Sequence, residues 1–263
     1  MEWGDPIDLP VTDDTAALVM VHVPLFRDPG RHHQPNVAEY VAWLIEVIDE
    51  AERILEVGGR LVLIVKAQES RRPFLDLATL LIRPLTKAGM TVPITYTWCT
   101  SLVTPAPLDG QPDGLVMTAA DPVIPVSSWR VLVASKGHDH RTGSILERQH
   151  LGLPHRSTIP TQAWDTASSD VWLIPAPTYP TQGDLPDTLV ELILSLYTFV
   201  GDLVVNPLAG TATVARIATR MRRRARCFEP DHQILDRINR PTPTPTGGTR
   251  TGEGDGEGGL WRR

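Results

Sequence analysis

Apolar residues form two kinds of segment that alternate along the chain. Residues 15–26 are almost continuously apolar, a pattern typical of a strand buried on both faces of a sheet. Residues 36–59 place apolar side chains at helical spacing, and Gly58 and Gly59 are expected to end that helix. Further strands are predicted at 60–67, 90–102, 127–137, 202–206 and 225–230, and further helices at 72–89 and 184–199. This alternation predicts an α/β fold with a doubly wound, mostly parallel, Rossmann-like sheet.

The end of the chain differs in composition from the rest. Residues 241–263 are rich first in Pro and Thr and then in Gly. Such a segment buries too little apolar surface to offset the entropy lost when it is ordered. We therefore predict a disordered tail at 241–263, one folded domain at 11–240 and an N-terminal extension at 1–10.

The overall composition, with 41% hydrophobic and 21% charged residues, is that of a globular protein. No apolar run reaches the roughly 20 residues that span a membrane, and the N-terminus is acidic rather than signal-like. The two cysteines, Cys99 and Cys227, have no metal-site spacing, and Cys227 is expected to be a buried strand residue. These features predict a cytoplasmic protein that is not attached to a membrane.

The formal net charge of −6 does not by itself indicate a nucleic-acid-binding protein. Such binding would have to come from local basic patches, and residues 220–226 contain five arginines. The alternative interpretation of this cluster is a solvated helix end, where cations complement the helix dipole.

A strand, a tight turn of small residues and a helix follow one another after residue 201. The turn at 207–210 lets the backbone approach a ligand closely, and a helix starting at about Thr213 offers free N–H groups. The next strand delivers Glu229 nineteen positions after Gly210, a spacing at which an acid accepts hydrogen bonds from ribose hydroxyls. Only one glycine of a dinucleotide fingerprint is present, so a nicotinamide cofactor is not expected.

This unit resembles the cofactor motif of the S-adenosylmethionine-dependent DNA amino-methyltransferases, usually D-P-F-A-G-S-G-T. Residues 206–213 match at Pro, Ala, Gly and the last Thr, and depart at Asn for Asp, Leu for Phe, Thr for Ser and Ala for the second Gly. Segments 36–65, 90–100, 127–137, 185–202 and 228–231 resemble other motifs of the family, in the order typical of its β group. That group acts on adenine N6 or cytosine N4.

The resemblance implies a methyltransferase version of the Rossmann-like fold, S-adenosylmethionine as the cofactor and DNA as the partner. It also implies a short recognition region at about 137–169. The cofactor-binding residues that it implies are Asn206, Pro207, Leu208, Ala209, Gly210, Thr211, Thr213 and Glu229. A homodimer or a protein partner stays open.

The family's catalytic motif is (D/S/N)-P-P-(Y/F/W), at the end of the first strand. Its first side chain and a backbone carbonyl accept the two N–H bonds of the target amine, and its aromatic ring stacks on the flipped base. The catalytic candidates here are His22, Val23, Pro24, Leu25 and Phe26. Taken as 22–25, the tetrad has an acceptor in neutral His22, but Leu25 cannot stack. Taken as 23–26, it has a stacking ring in Phe26, but Val23 has no side-chain acceptor.

The expected function is therefore methyl transfer from S-adenosylmethionine to cytosine N4 or adenine N6 of DNA. Neither tetrad gives the full catalytic motif, and two interpretations stay open: His22 and Phe26 act together, or His22 is a strand-end residue beside an inactive or repurposed pocket. The alternative is a catalytically degenerate member that binds DNA or cofactor as a non-catalytic partner. The histidines of residues 138–155 have irregular spacing and no neighbouring cysteine, so no metal is expected. Trp98, Trp129 and Trp172 are expected to be core residues, and Trp43 to be partly exposed.

Overall fold

The computed structural model describes residues 1–26, 36–66, 76–100, 128–138, 141, 145–150, 159, 161–175 and 185–239. The strands are β1 (Glu2–Trp3), β2 (Ala16–His22), β3 (Leu55–Lys66), β4 (Met90–Cys99), β5 (Ser128–Lys136), β6 (Val171–Leu173), β7 (Leu203–Asn206) and β8 (Arg224–Glu229). The helices are α1 (Val37–Ile54), α2 (Leu77–Lys87), α3 (Ile145–His150), α4 (Thr161–Ala167), α5 (Asp187–Tyr197), α6 (Thr213–Arg220) and α7 (His232–Asn239). The predicted tail at 241–263 and part of the predicted recognition region at 137–169 lie outside the described residues.

The strands form one eight-stranded sheet in the order β1-β8-β7-β2-β3-β5-β4-β6. Only β5 is antiparallel to its neighbours, β3 and β4, and every other pair is parallel. This arrangement confirms the predicted α/β fold. The chain passes from β2 to β3 on one side and from β7 to β8 on the other, so the strand order reverses between β7 and β2. Open α/β sheets bind ligands beyond the carboxyl ends of the strands at such a reversal.

Apolar cores lie on both faces of the sheet, which explains the continuous apolar run of β2. Val19 and Val21 pack into the core that includes α1 and α2, whereas Leu18 and Met20 pack into the core that includes α5 and α6. Helix α1 begins with an Asn36 cap, whose side chain accepts a hydrogen bond from the backbone N–H of Glu39 at 2.9 Å. Among the described residues, no helix is long and apolar enough to cross a membrane.

Helix α1 ends at Ile54, earlier than the glycine pair that was expected to stop it. Gly58 and Gly59 instead lie inside β3. A Cβ atom on Gly59 would meet the carbonyl oxygens of Glu56 at 2.8 Å and Ala16 at 3.0 Å. The glycine is therefore required by two close backbone carbonyls, one in β3 itself and one in β2, and its role as a helix stop was wrongly predicted.

The segment predicted as an N-terminal extension at 1–10 packs against the domain. Its first residues form β1, which pairs with β8 at the edge of the sheet. Further along, the backbone N–H of Leu9 donates to the buried carboxylate of Glu50 at 2.7 Å. Arg53 donates to the carbonyl of Leu9 at 3.0 Å and also contacts Glu50. These contacts hold the segment on α1.

Candidate active site

The carboxyl ends of β2 and β7 lie side by side at the reversal of strand order. Leu18 pairs with Val204 and Val19 with Val205, and both strands end within a few residues of these pairs. The segments that follow, 23–26 and 207–210, therefore leave the sheet at the same edge. The structure thus brings together the predicted cofactor turn and the predicted catalytic segment, which are far apart in the chain.

The cofactor turn is held by hydrogen bonds from three consecutive backbone N–H groups. Leu208 donates to the side-chain oxygen of Asn206 at 3.0 Å, and Ala209 donates to the carbonyl of Phe228 at 2.8 Å. Gly210 donates to the carboxylate of Glu229 at 2.8 Å. An aspartate at position 206 would offer the same acceptor, so the change from the family's Asp to Asn preserves this turn.

Glu229 is the acid of the site and is only 3% exposed. One carboxylate oxygen accepts from Gly210, and the other accepts from the N–H of Asp231 at 3.1 Å. A carboxylate offers about four lone-pair positions, so further acceptor capacity is left beyond these two bonds. Its bond to Gly210 holds this acid beside the turn, a position that fits the predicted ribose-binding role.

Helix α6 begins directly after the turn, from a strained residue. Ala212 has a φ of 65° and a ψ of 15°, a left-handed conformation that L-residues adopt at a cost. This is the position where the family pattern has its second glycine. Thr213, the first helical residue, is buried, and its hydroxyl lies 3.3 Å from that of Thr211.

The catalytic segment is held on two sides after β2 ends. The N–H of Val23 donates to the carbonyl of Ile64 on β3 at 3.0 Å. The carbonyl of Pro24 accepts from the hydroxyl of Tyr40 on α1 at 2.5 Å. Leu25 is 40% exposed, and the ring of Phe26 lies 5.4 Å from that of Tyr40. Leu25 and Phe26, the last residues of the two possible tetrads, thus differ: the side chain of Leu25 is exposed, whereas the ring of Phe26 packs against the domain.

His22 ends β2 and contacts an aromatic residue that the sequence analysis placed in the core. Its ring lies 4.8 Å from that of Trp129 at an angle of 55°. Trp98 and Trp172 are buried as expected, but Trp129 is only half-buried, and the ammonium of Lys66 lies 4.9 Å from its centroid. Trp129 lies opposite Lys66 in the antiparallel pairing of β3 with β5, so its contact with His22 depends on a strand pairing that the residue pattern of either segment does not specify.

Trp3 of β1 is another residue near the candidate site that was not predicted from the sequence. Trp3 pairs in register with Glu229, and its ring stacks on that of His232 at 5.5 Å and 4°. The N-terminal segment therefore flanks the acid of the cofactor turn. Trp43, expected to be partly exposed, is buried next to Tyr40, and Cys227 is a buried strand residue as expected.

Four of the five arginines at 220–226 make side-chain contacts within the domain. Arg220 forms ion pairs with acids of α5, and Arg226 pairs with Glu2 of β1. Arg223 is buried and donates to the backbone carbonyl and the hydroxyl of Thr198 at 2.9 and 3.0 Å. The turn from α6 into β8 lies at the amino ends of the strands, opposite the site. These contacts favour a helix end over a DNA-binding patch.

In the parts of the chain that the structure describes, no three His, Cys, Asp or Glu side chains are grouped as metal ligands. Several residues of the histidine-containing loop, including Asp139, His140 and His155, lie outside those parts.

A family model for DNA methylases of the N6 and N4 type matches residues 30–240. The chain belongs to this DNA methylase family. The matched range contains the cofactor turn and Glu229 but begins after the catalytic segment. The role of residues 22–26 in this methylase therefore depends on the geometry described above.

Solved structures share the fold of the methylase. TTHA0409 from Thermus thermophilus, provisionally named a DNA modification methylase, is 23% identical, with 90% of this chain and 91% of that chain covered and a TM-score of 0.67. Its complex with S-adenosyl-L-methionine is 22% identical over the same shares, with a TM-score of 0.66. The cytosine-N4-specific PvuII DNA methyltransferase is 17% identical, with 86% and 80% covered and a TM-score of 0.60. A comparison with curated proteins gives no match.

Proposed function

We propose that this methylase transfers a methyl group from S-adenosylmethionine to an exocyclic amine of a DNA base, cytosine N4 or adenine N6. The observation that carries the proposal is the meeting of the segment after β2 with the turn after β7 at the reversal of strand order. This arrangement supports the proposal, because the predicted cofactor turn and a segment able to accept hydrogen bonds from an amine follow neighbouring strands at the same edge of the sheet.

The cofactor would be held by the turn 206–213 and by Glu229. The remaining lone pairs of the Glu229 carboxylate would accept hydrogen bonds from the ribose hydroxyls. Trp3 of β1 lies beside this acid. The N-terminus of α6, which Ala212 leaves without a side-chain cap, contributes further N–H groups. When bound, S-adenosylmethionine supplies an electrophilic methyl group on its sulfonium.

The residues of the chain that act on the amine lie after β2. A neutral imidazole at His22 offers one acceptor nitrogen, whereas an imidazolium offers none. Accepting an N–H bond from the exocyclic amine would favour the pyramidal nitrogen that can attack a sulfonium methyl group. In that transfer the methyl–sulfur bond would break to leave a neutral thioether, and the amine would release one proton. Contact with Trp129 limits the orientations available to the His22 ring.

The test is transfer of labelled methyl to unmethylated plasmid DNA, followed by chromatography of the digested nucleosides. We expect N4-methylcytosine or N6-methyladenine from the wild type, and loss of most transfer in His22→Ala with cofactor affinity kept. Glu229→Ala should weaken cofactor binding roughly 10-fold or more, because a hydrogen bond to a charged group contributes about 1.5–3 kcal/mol. Glu191→Gln on α5 is the matched control and should bind the cofactor as the wild type does.

A wild type that binds S-adenosylmethionine and DNA but transfers no methyl group would refute the enzymatic proposal. That result would favour the non-catalytic alternative. Full transfer by His22→Ala would refute only the role of His22.

A further inference from the structure

Two backbone carbonyls, those of Val23 and Pro24, are candidates to share the target amine with His22. The carbonyl of Pro24 already accepts the hydroxyl of Tyr40. Among the residues that the structure describes, none donates a hydrogen bond to the carbonyl of Val23. One of the two lone pairs of the Pro24 carbonyl is therefore engaged by a residue of α1, whereas the Val23 carbonyl accepts no hydrogen bond from the described residues.

Tyr40 is itself held firmly in place. It is 1% exposed, and the centroid of its ring lies 6.2 Å from that of Trp43 and 5.4 Å from that of Phe26. A buried ring packed between two aromatic neighbours has little rotational freedom, so the position of its hydroxyl is defined. The same residue thus engages both the Pro24 carbonyl and the Phe26 side chain.

The family's tetrad has two adjacent prolines, and this chain keeps only Pro24. Val23 uses its N–H to extend the β2–β3 ladder to the carbonyl of Ile64, a bond that a proline cannot make. The segment is therefore restrained by one ladder hydrogen bond on one side and by the Tyr40 hydroxyl on the other. These two contacts limit its conformation where the family uses a second proline.

We propose that Tyr40 is a positioning residue, which holds Pro24 and Phe26 against α1 and leaves His22 and the Val23 carbonyl as the two acceptors for the target amine. The proposal rests on the proposed methyl transfer and selects the tetrad 22–25 over 23–26. In the tetrad 23–26, the carbonyl of Pro24 would have to accept the amine while it accepts the Tyr40 hydroxyl, and the ring of Phe26 would have to stack on the base while it packs on Tyr40.

The experiment compares wild type, Tyr40→Phe and the control Tyr96→Phe. Tyr40→Phe keeps the ring and removes the hydroxyl. Tyr96 lies in β4, is also buried, and its hydroxyl is 3.1 Å from that of Tyr197, so its change removes a comparable contact away from the tetrad. For each protein, kcat and KM for plasmid DNA, cofactor affinity by calorimetry and amide hydrogen exchange of residues 25 and 26 are measured.

We expect kcat of Tyr40→Phe to fall roughly 10- to 100-fold, the scale of loss that small misplacements of reacting groups cause. KM, cofactor affinity and the Tyr96→Phe control should keep wild-type values, and exchange at residues 25 and 26 should rise only in Tyr40→Phe. An unchanged kcat in Tyr40→Phe, with an active wild type, would overturn the positioning role and leave the proposed function standing. Equal losses in both variants would overturn it as well, since they would indicate general destabilisation. An inactive wild type would overturn the proposed function itself, and the positioning role with it.

Discussion

Replacing Ala212 with glycine should stabilise this methylase, although it removes a side-chain atom. Ala212 precedes α6 with a φ of 65°, a left-handed conformation in which the Cβ atom of an L-residue crowds the backbone. Glycine adopts this conformation without that cost. The family pattern has glycine at this position, and the backbone geometry supplies a physical reason for it.

The magnitude follows from two opposing contributions. The left-handed conformation costs an L-residue about 1–2 kcal/mol. Glycine in place of alanine gives back about 0.4–1 kcal/mol, because it increases the conformational entropy of the unfolded chain. The net gain in the free energy of unfolding should be about 0.5–1 kcal/mol, a Tm increase of roughly 1–4 °C for a domain of this size.

The assay is thermal unfolding of wild type, Ala212→Gly and the control Ala215→Gly. Ala215 lies within α6, where the same change should instead cost about 1 kcal/mol because glycine is a poor helix former. The two variants should therefore shift Tm in opposite directions. A lower Tm for Ala212→Gly, or equal shifts in both variants, would refute the argument from left-handed strain.

Two further predictions concern the edge of the sheet and the cysteines. Arg226→Ala should weaken cofactor binding several-fold in calorimetry, because Arg226 pairs with Glu2 and holds β1 beside Glu229. The control is Arg224→Ala, at the start of β8, and equal weakening of cofactor binding in this variant would contradict the prediction. Iodoacetamide at pH 8 should modify Cys99 before Cys227, because burial raises the pKa of the Cys227 thiol to about 12 and a thiol reacts as its thiolate. Faster modification of Cys227 in peptide mass mapping would contradict that reasoning.

The parts of the fold and site that could be predicted from sequence are those set by neighbouring residues. The apolar run of β2 and the turn at 207–210 depend on local pattern and backbone chemistry, and both form as expected. The position of Glu229 near the turn was also accessible, since both belong to one strand–helix–strand unit; its hydrogen bond with Gly210 was not predicted.

The features that were missed depend on pairing between distant segments. Trp129 reaches His22 only because β5 inserts antiparallel between β3 and β4. Trp3 reaches Glu229 only because β1 adds to the far edge of the sheet. The glycine that was taken for a helix stop, Gly59, is required by two close backbone carbonyls, one in β3 itself and one in β2. No periodicity within one segment carries this information.

The departures from the family's motifs do not have one common meaning, because the structure treats them differently. Asn206 keeps the acceptor of the turn, whereas Ala212 keeps the backbone conformation at a cost in stability. Val23 replaces a proline of the family motif, and its N–H donates a hydrogen bond to the carbonyl of Ile64. A proline at this position would remove that hydrogen bond. At Leu25 no contact replaces the stacking ring of the family motif, because this side chain is exposed and is not aromatic. A rebuilt site in this chain should therefore combine Leu25→Tyr with the native Val23, because the exposed position 25 can take a larger side chain, whereas a proline at position 23 would remove the hydrogen bond to Ile64.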